Sequence, residues 1–196
     1  MKTPYLVLLA ALALPAGLAA QQQPSAADLA NPITAAFRGR TLNLQRNLAQ
    51  AFDSVPERLF SYKPTPVQLT FGYIAQHLAN DNYLFCNAFG DMKGTRSAED
   101  TTTADSVKAT WPREKLIQEL KESFTFCENA FRQLDDAKLA EQVTLNFRGQ
   151  SRQLPRVNMV LGHVVDMADH YSQIANYMRL NNMIPPTALP RPPARP

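Results

Sequence analysis

The chain has 196 residues, 45% of them hydrophobic and 19% charged, with a net charge of +3 from 20 Lys and Arg against 17 Asp and Glu. That suits one domain of ordinary size and excludes a disordered polyelectrolyte, and the basic residues are too scattered to form a nucleic-acid-binding stripe. Only seven Gly are present, and there is no Gly-rich phosphate loop, Gly-x-Ser-x-Gly elbow or Cys-x-x-Cys pair, so nucleotide, serine-hydrolase and thioredoxin-like chemistries lose their usual markers.

Residues 1–20, MKTPYLVLLAALALPAGLAA, open with a Lys, continue as an apolar run from Tyr5 to Leu14, break at Pro15 and end in small residues. This is the order of a secretory signal peptide, with cleavage expected after Ala19 or Ala20. The apolar run is short of the ~20 residues that span a bilayer, and no Cys follows it, so neither a stable membrane anchor nor a lipoprotein is expected. The chain therefore reads as exported, to a periplasmic or extracellular location. In an oxidising compartment the two cysteines, Cys86 and Cys127, are candidates for a disulfide joining two predicted helices, with two reduced core thiols as the alternative.

A domain is expected over residues 26–186. Its first helix starts at Asn31-Pro32, a capping residue followed by Pro in the first turn, and presents Ile33, Phe37, Leu44, Leu48 and Phe52 on one face. Pro56, Pro64 and Pro66 make a rigid connector, because proline lacks the N–H a helix needs and disfavours helix in the residue before it. The second helix spans about 70–89, with Phe71, Ile74, Leu78, Phe85 and Phe89 in a stripe and Gly90 as its stop. Residues 91–109 are polar and read as a solvated loop. The third helix begins near Pro112 and places Leu116, Leu120, Phe124, Cys127, Phe131 and Leu134 along a seam of alternating four- and three-residue spacing.

Residues 138–150 are ambiguous, with VTLNF as a short strand-like piece ending at Arg148-Gly149. The fourth helix follows Pro155 and runs to about Asn182, with Val157, Val160, Leu161, Val164, Ala168, Ile174 and Met178 as core candidates. Beyond it, PPTALPRPPARP holds six Pro, and residues 187–196 are expected to form a disordered Pro-rich tail. Four long helices with little strand signal imply an all-α four-helix bundle whose topology periodicity alone leaves open.

The three His fall on two of these helices: His77 on the second, His163 and His170 on the fourth, with Asp166 between the latter pair. Asp166 and His170 are four residues and roughly 6 Å apart along the axis, close enough to share one ion. His163 and His170 are separated by about 10.5 Å, too far to share one easily. His77 from a facing helix would make a third ligand, and three protein ligands with an open position is the pattern of catalytic metal sites. The plainer reading is hydrogen-bonded histidines and solvated carboxylates.

The stretch FSYKPTPVQLTFGYIAQHLANDNYLFC, Phe60–Cys86, and the later DMADHYSQIANYMRLNNMIPP together resemble the DinB-like (DinB/YfiT) superfamily, particularly its exported members, over about residues 30–186. The resemblance implies a four-helix bundle of up-down-down-up course and a divalent metal held by one His on the second helix and a His-x-x-x-His pair on the fourth. Carried across, these positions are His77, Asp166 and His170, so an Asp stands where the first His of the pair belongs. A two-His, one-carboxylate set remains competent for Zn, Mn, Fe or Ni; equally, Asp166 can mark a lost site. His163 and Asp81 are supporting candidates, His163 in the core or behind a ligand, Asp81 as an acceptor fixing the His77 ring. The implied function is a metal-dependent enzyme, hydrolase- or transferase-like, acting on a small molecule whose identity is open. Asp166 is a candidate base if it is not a ligand. Export argues against transfer of low-molecular-weight thiols, which are kept inside the cell. The alternative is a non-catalytic bundle that binds a ligand or forms a homodimer around a degenerate metal site. Nucleic acid is not an expected partner.

Overall fold

The computed structural model describes residues 25–147 and 149–190; the expected signal peptide and the last six residues of the Pro-rich segment lie outside them. The described chain is mostly helical. In order come α1 (Ala26–Ala30), α2 (Pro32–Ser54), α3 (Phe71–Phe89), α4 (Ala98–Thr102), α5 (Asp105–Lys108), α6 (Arg113–Phe131), strands β1 (Gln142–Phe147) and β2 (Gln150–Pro155), and α7 (Arg156–Leu180). The long helices pack as α3 against α6 and α7, and α2 against the same two.

The helix ends follow local chemistry. At the start of α2, Pro32 occupies the first turn and the backbone N–H groups of Ile33 and Thr34 donate to the Asp136 carboxylate at 3.1 and 2.7 Å. Asn31 Oδ1 in turn accepts from the Asp136 N–H at 3.1 Å, so the cap comes from a residue distant in sequence rather than from Asn31 itself. At α3, Thr70 Oγ1 accepts from the Tyr73 N–H at 3.0 Å. The helix ends at Gly90, where a Cβ would lie 2.4 Å from the Ala130 Cβ; the absent side chain lets the end of α3 close on α6.

Two apolar clusters fill the interior. One gathers Leu48, Phe52, Phe71, Ile74, Leu78, Leu120, Ile174 and Met178. The other gathers Phe89, Phe131, Leu139, Met159 and Val160 around Cys86 and Cys127, whose sulfurs are joined as a disulfide with the Cα atoms 5.3 Å apart. Burying each large apolar side chain contributes roughly 1.5–3 kcal/mol, so these layers fix how α3 faces α7.

Several expectations give way to the structure. Ile33 is exposed, because Thr34, Thr41, Leu44 and Leu48 take the inner face of α2. Residues 91–109 are not a solvated loop: α4 and α5 fold onto α3 through buried Asp100 and Lys108, paired at 3.1 Å, with Asn80 accepting from Lys108 at 2.7 Å. The strand-like piece is one arm of a hairpin, β1 pairing antiparallel with β2 from Gln142↔Pro155 to Phe147↔Gln150, and Gly149 supplies the left-handed turn residue at φ +74°. On α7 Leu161 and Ala168 point outward, while Met159, His163, Met167, His170 and Tyr171 point in. The first residues of the Pro-rich segment also pack: Pro186–Ala188 form a 3-10 turn in which Thr187 accepts from the Tyr171 hydroxyl at 2.9 Å and donates its N–H back to it at 3.0 Å.

Candidate metal centre

The inward face of α7 and the facing side of α3 bring His77, Asp166 and His170 together, with one ligating atom of each within 4.8 Å of the others. His170 Nε2 is 3.4 Å and His77 Nε2 4.0 Å from the same oxygen, Asp166 Oδ1. The two imidazoles meet edge to face with ring centroids 4.8 Å apart. Burial is graded: the side chain of His170 is 8% exposed, Asp166 18% and His77 30%, so the cluster is closed on the α7 side and open beside His77. Helical spacing explains the α7 pair, since residues four apart share a face.

Asp81, one turn beyond His77, stands 3.5 Å from His77 Nε2, the nitrogen that also faces Asp166. It is thus placed as a further oxygen donor to the cluster, rather than as an acceptor on the far nitrogen of the ring. Burial raises the Asp81 carboxyl above its ordinary range; His77 opposes this and the like charge of Asp166 adds to it. For His170 burial opposes the charged form, but the hydrogen bond and charge of Asp166, with Asp169 and Asp81 behind it, outweigh burial and raise its pKa. The carboxylates around His170 thus favour positive charge at this point of the cluster.

The donor set fits a divalent ion by type: two imidazoles and a carboxylate are competent ligands for zinc and for non-haem iron or manganese. The His170–Asp166 spacing of 3.4 Å matches the about 3.4 Å between neighbouring ligands of a tetrahedral ion, whereas His77 at 4.0 Å lies wider, so occupancy requires His77 to draw in. His170 Nδ1 is buried without a hydrogen-bond partner, and the acceptor that commonly orients a ligating imidazole is missing there.

Sequence reasoning missed Tyr73, whose ring stacks on His77 at 6.2 Å. The i, i+4 spacing of the two on α3 is the signal that could have found it. Tyr73 also lines a cavity of about 610 Å³ walled by Phe60, Lys63, Leu69, Thr70 and Trp111, which brings a partly apolar recess to within one helical turn of His77.

His163 takes no part in this cluster. It is fully buried among the rings of Phe85, Phe89 and Phe131, at centroid distances of 6.1, 5.8 and 6.1 Å, and close to the Cys86–Cys127 bridge. Burial lowers its pKa to about 4, with Asp166 pulling weakly the other way, so the ring is neutral at physiological pH.

The family model described as the DinB superfamily matches residues 40–174, a span that takes in every residue of the cluster. Among solved structures, a DinB-like protein from Bacillus cereus aligns with a TM-score of 0.59 at 16% identity, over 76% of this chain and 93% of that one. A mutant of a mycothiol-dependent maleylpyruvate isomerase aligns with a TM-score of 0.56 at 14% identity, over 72% of this chain and 60% of that one. At these identities the likeness is one of fold. No curated protein matches the chain.

Proposed function

The chain belongs to the DinB superfamily, and from that premise we propose that it is an exported, divalent-metal-dependent enzyme built on a four-helix bundle of up-down-down-up course. His77, Asp166 and His170 would hold the ion, with Asp81 at hand as a further oxygen donor. The observation that carries this reading is the convergence of His77 Nε2 and His170 Nε2 on one carboxylate oxygen, from two helices, in a pocket closed behind and open in front. When bound, the ion would supply Lewis-acid polarisation of an oxygen or sulfur donor on the substrate.

The rest falls to the chain's own side chains. The cavity beyond Tyr73 orients a small molecule, with Phe60 and Trp111 offering apolar walls and Lys63 a positive rim. Asp81, raised by burial, is placed to take up or hold a proton beside His77. Hydrolysis or group transfer on a small substrate suits such a site. The isomerase among the fold neighbours is named for a thiol cofactor, but a thiol transferase is the less fitting reading for an exported chain.

One observation favours the competing reading, a non-catalytic ligand-binding or dimerising bundle with a relic site: the unpartnered Nδ1 of His170. Elemental analysis of the mature protein, purified without chelator or histidine tag, separates the two when run beside His77→Ala/His170→Ala. About one equivalent of zinc, manganese, iron or nickel, absent from the double variant, supports the enzyme. No uptake of any of these ions, even after incubation, refutes the metal site and leaves the binding module.

A further inference from the structure

A second set of ligand atoms lies deeper in the molecule. The sulfurs of Cys86 and Cys127 and one ring nitrogen of His163 all lie within 4.8 Å of one another, and all three residues are completely buried. Both nitrogens of His163 lack a hydrogen-bond partner. Buried polar atoms are nearly always paired, because leaving one unsatisfied costs roughly 1–3 kcal/mol, so a fully orphaned imidazole beside two sulfurs calls for an explanation. Packing alone does not supply one, since an apolar side chain at that position would strand no nitrogens.

We propose that Cys86, Cys127 and His163 form a redox-gated metal site, a disulfide when oxidised and a two-thiolate, one-imidazole site for a thiophilic divalent ion, zinc above all, when reduced. Charge selects the valence. Two thiolates, a neutral imidazole and a divalent ion sum to zero, the only total that a dry core accepts cheaply, whereas a monovalent ion would leave a buried negative charge. Geometry permits the change: zinc–sulfur bonds of about 2.3 Å place two sulfurs about 3.8 Å apart in a tetrahedral site, and side-chain rotation across Cα atoms 5.3 Å apart accommodates that separation. One equivalent of a dithiol reductant reduces the bridge, closing to its own disulfide and yielding two cysteine thiols. Ion binding then displaces two protons. The site is separate from the His77 cluster and does not depend on its being occupied.

The test uses the full mature chain carrying His77→Ala and His170→Ala, so that the outer cluster cannot contribute, reduced anaerobically with a phosphine and titrated with Co(II). The expected result is a thiolate-to-cobalt charge-transfer band saturating at about one equivalent, displaced by zinc, absent from the oxidised protein and weakened tenfold or more by His163→Phe. No band in a reduced protein that remains helical, or equal binding by the His163→Phe variant, overturns the proposal. Should reduction unfold the chain, zinc must restore the helical circular dichroism of the protein with His163 but not of the variant with Phe. Failure of that difference overturns it as well.

Discussion

Replacing both bridged cysteines, Cys86→Ala with Cys127→Ala, removes a cross-link between residues 41 apart in sequence and the sulfur packing on both sides of it. The chain-entropy relation gives about 4 kcal/mol at 25 °C for closing a loop of that length in the unfolded ensemble. Trimming two fully buried side chains adds roughly 1 kcal/mol each, so the double variant should lose about 5–6 kcal/mol. For a domain of this size, each kcal/mol moves Tm by about 2–4 °C, which puts the total shift at roughly 10–24 °C. Thermal and urea unfolding by circular dichroism, run on the oxidised protein, the reduced protein and the double variant, separate the parts. Reduction alone should account for the entropic share, and the double variant should lie a further 1–2 kcal/mol below the reduced protein. The urea m value should rise once the bridge is gone, because the unfolded chain then exposes more surface. If the oxidised and reduced proteins melt within about 3 °C of each other, the bridge does not constrain the unfolded chain and the entropic argument fails.

Lys108→Met leaves Asp100 buried with only Arg96 as a charged partner, and should cost about 3 kcal/mol and loosen α4 and α5, read by urea unfolding and by amide exchange in 98–108. Asp100 itself is held below the usual carboxylate range, its hydrogen bonds and ion pairs with Arg96 and Lys108 outweighing burial. The stability this contributes is present above about pH 4 and lost as pH falls through the lower folded value; Asp100→Asn should flatten that acid limb of the stability curve. In metal-free protein His170 should titrate above its ordinary value and fall back in Asp166→Asn, followed by ring-proton NMR. Its contribution to stability is present below about pH 6.5 and lost as pH rises through the raised folded value. His163 runs the other way. With a folded pKa of about 4, its titration takes nothing from stability above pH 6.5, and the fold loses about 3 kcal/mol as pH falls from there to 4, a loss that His163→Phe should abolish.

The helices and their stripes were legible because each long helix carries its core at three- and four-residue spacing, and Thr70, Gly90, Pro32 and Pro155 punctuate the chain where the helices begin and end. What escaped depends on partners distant in sequence. Nothing near Asn31 announces that Asp136 caps α2. The polar composition of 91–109 conceals that Asp100 and Lys108 neutralise each other and go inside with Asn80. β2 reads as polar, and its hairpin is held by pairing with β1 rather than by an apolar alternation of its own. Of the candidate site, the identities of His77, Asp166 and His170 were readable from helix spacing and from the family resemblance. That Asp81 faces the same nitrogen as Asp166 was not, since the direction of a side chain one turn away depends on the packing of α3 against α7.

The arrangement of α7 ties these observations together. At about 100° per residue, His163 and His170 lie within about 20° of each other on the helix, both facing inward, and Asp166 lies about 40° from His170. Angular position alone would give both histidines the same role. The rise of about 10.5 Å between them sends them to different levels of the interior. His170 reaches the level of His77, where Asp166, Asp81 and an open mouth make a polar, charged environment that raises its pKa. His163 reaches the level of the Cys86–Cys127 bridge, where burial among three phenylalanine rings lowers its pKa. One helix face thus offers imidazole to two different chemistries, an open oxygen-and-nitrogen cluster and a closed sulfur one, and the level at which each ring enters the core decides which. Exchanging the environments, rather than the histidines, is what would exchange their behaviour: Phe89→Asp should raise the His163 pKa towards that of His170, while leaving the His170 titration where it is.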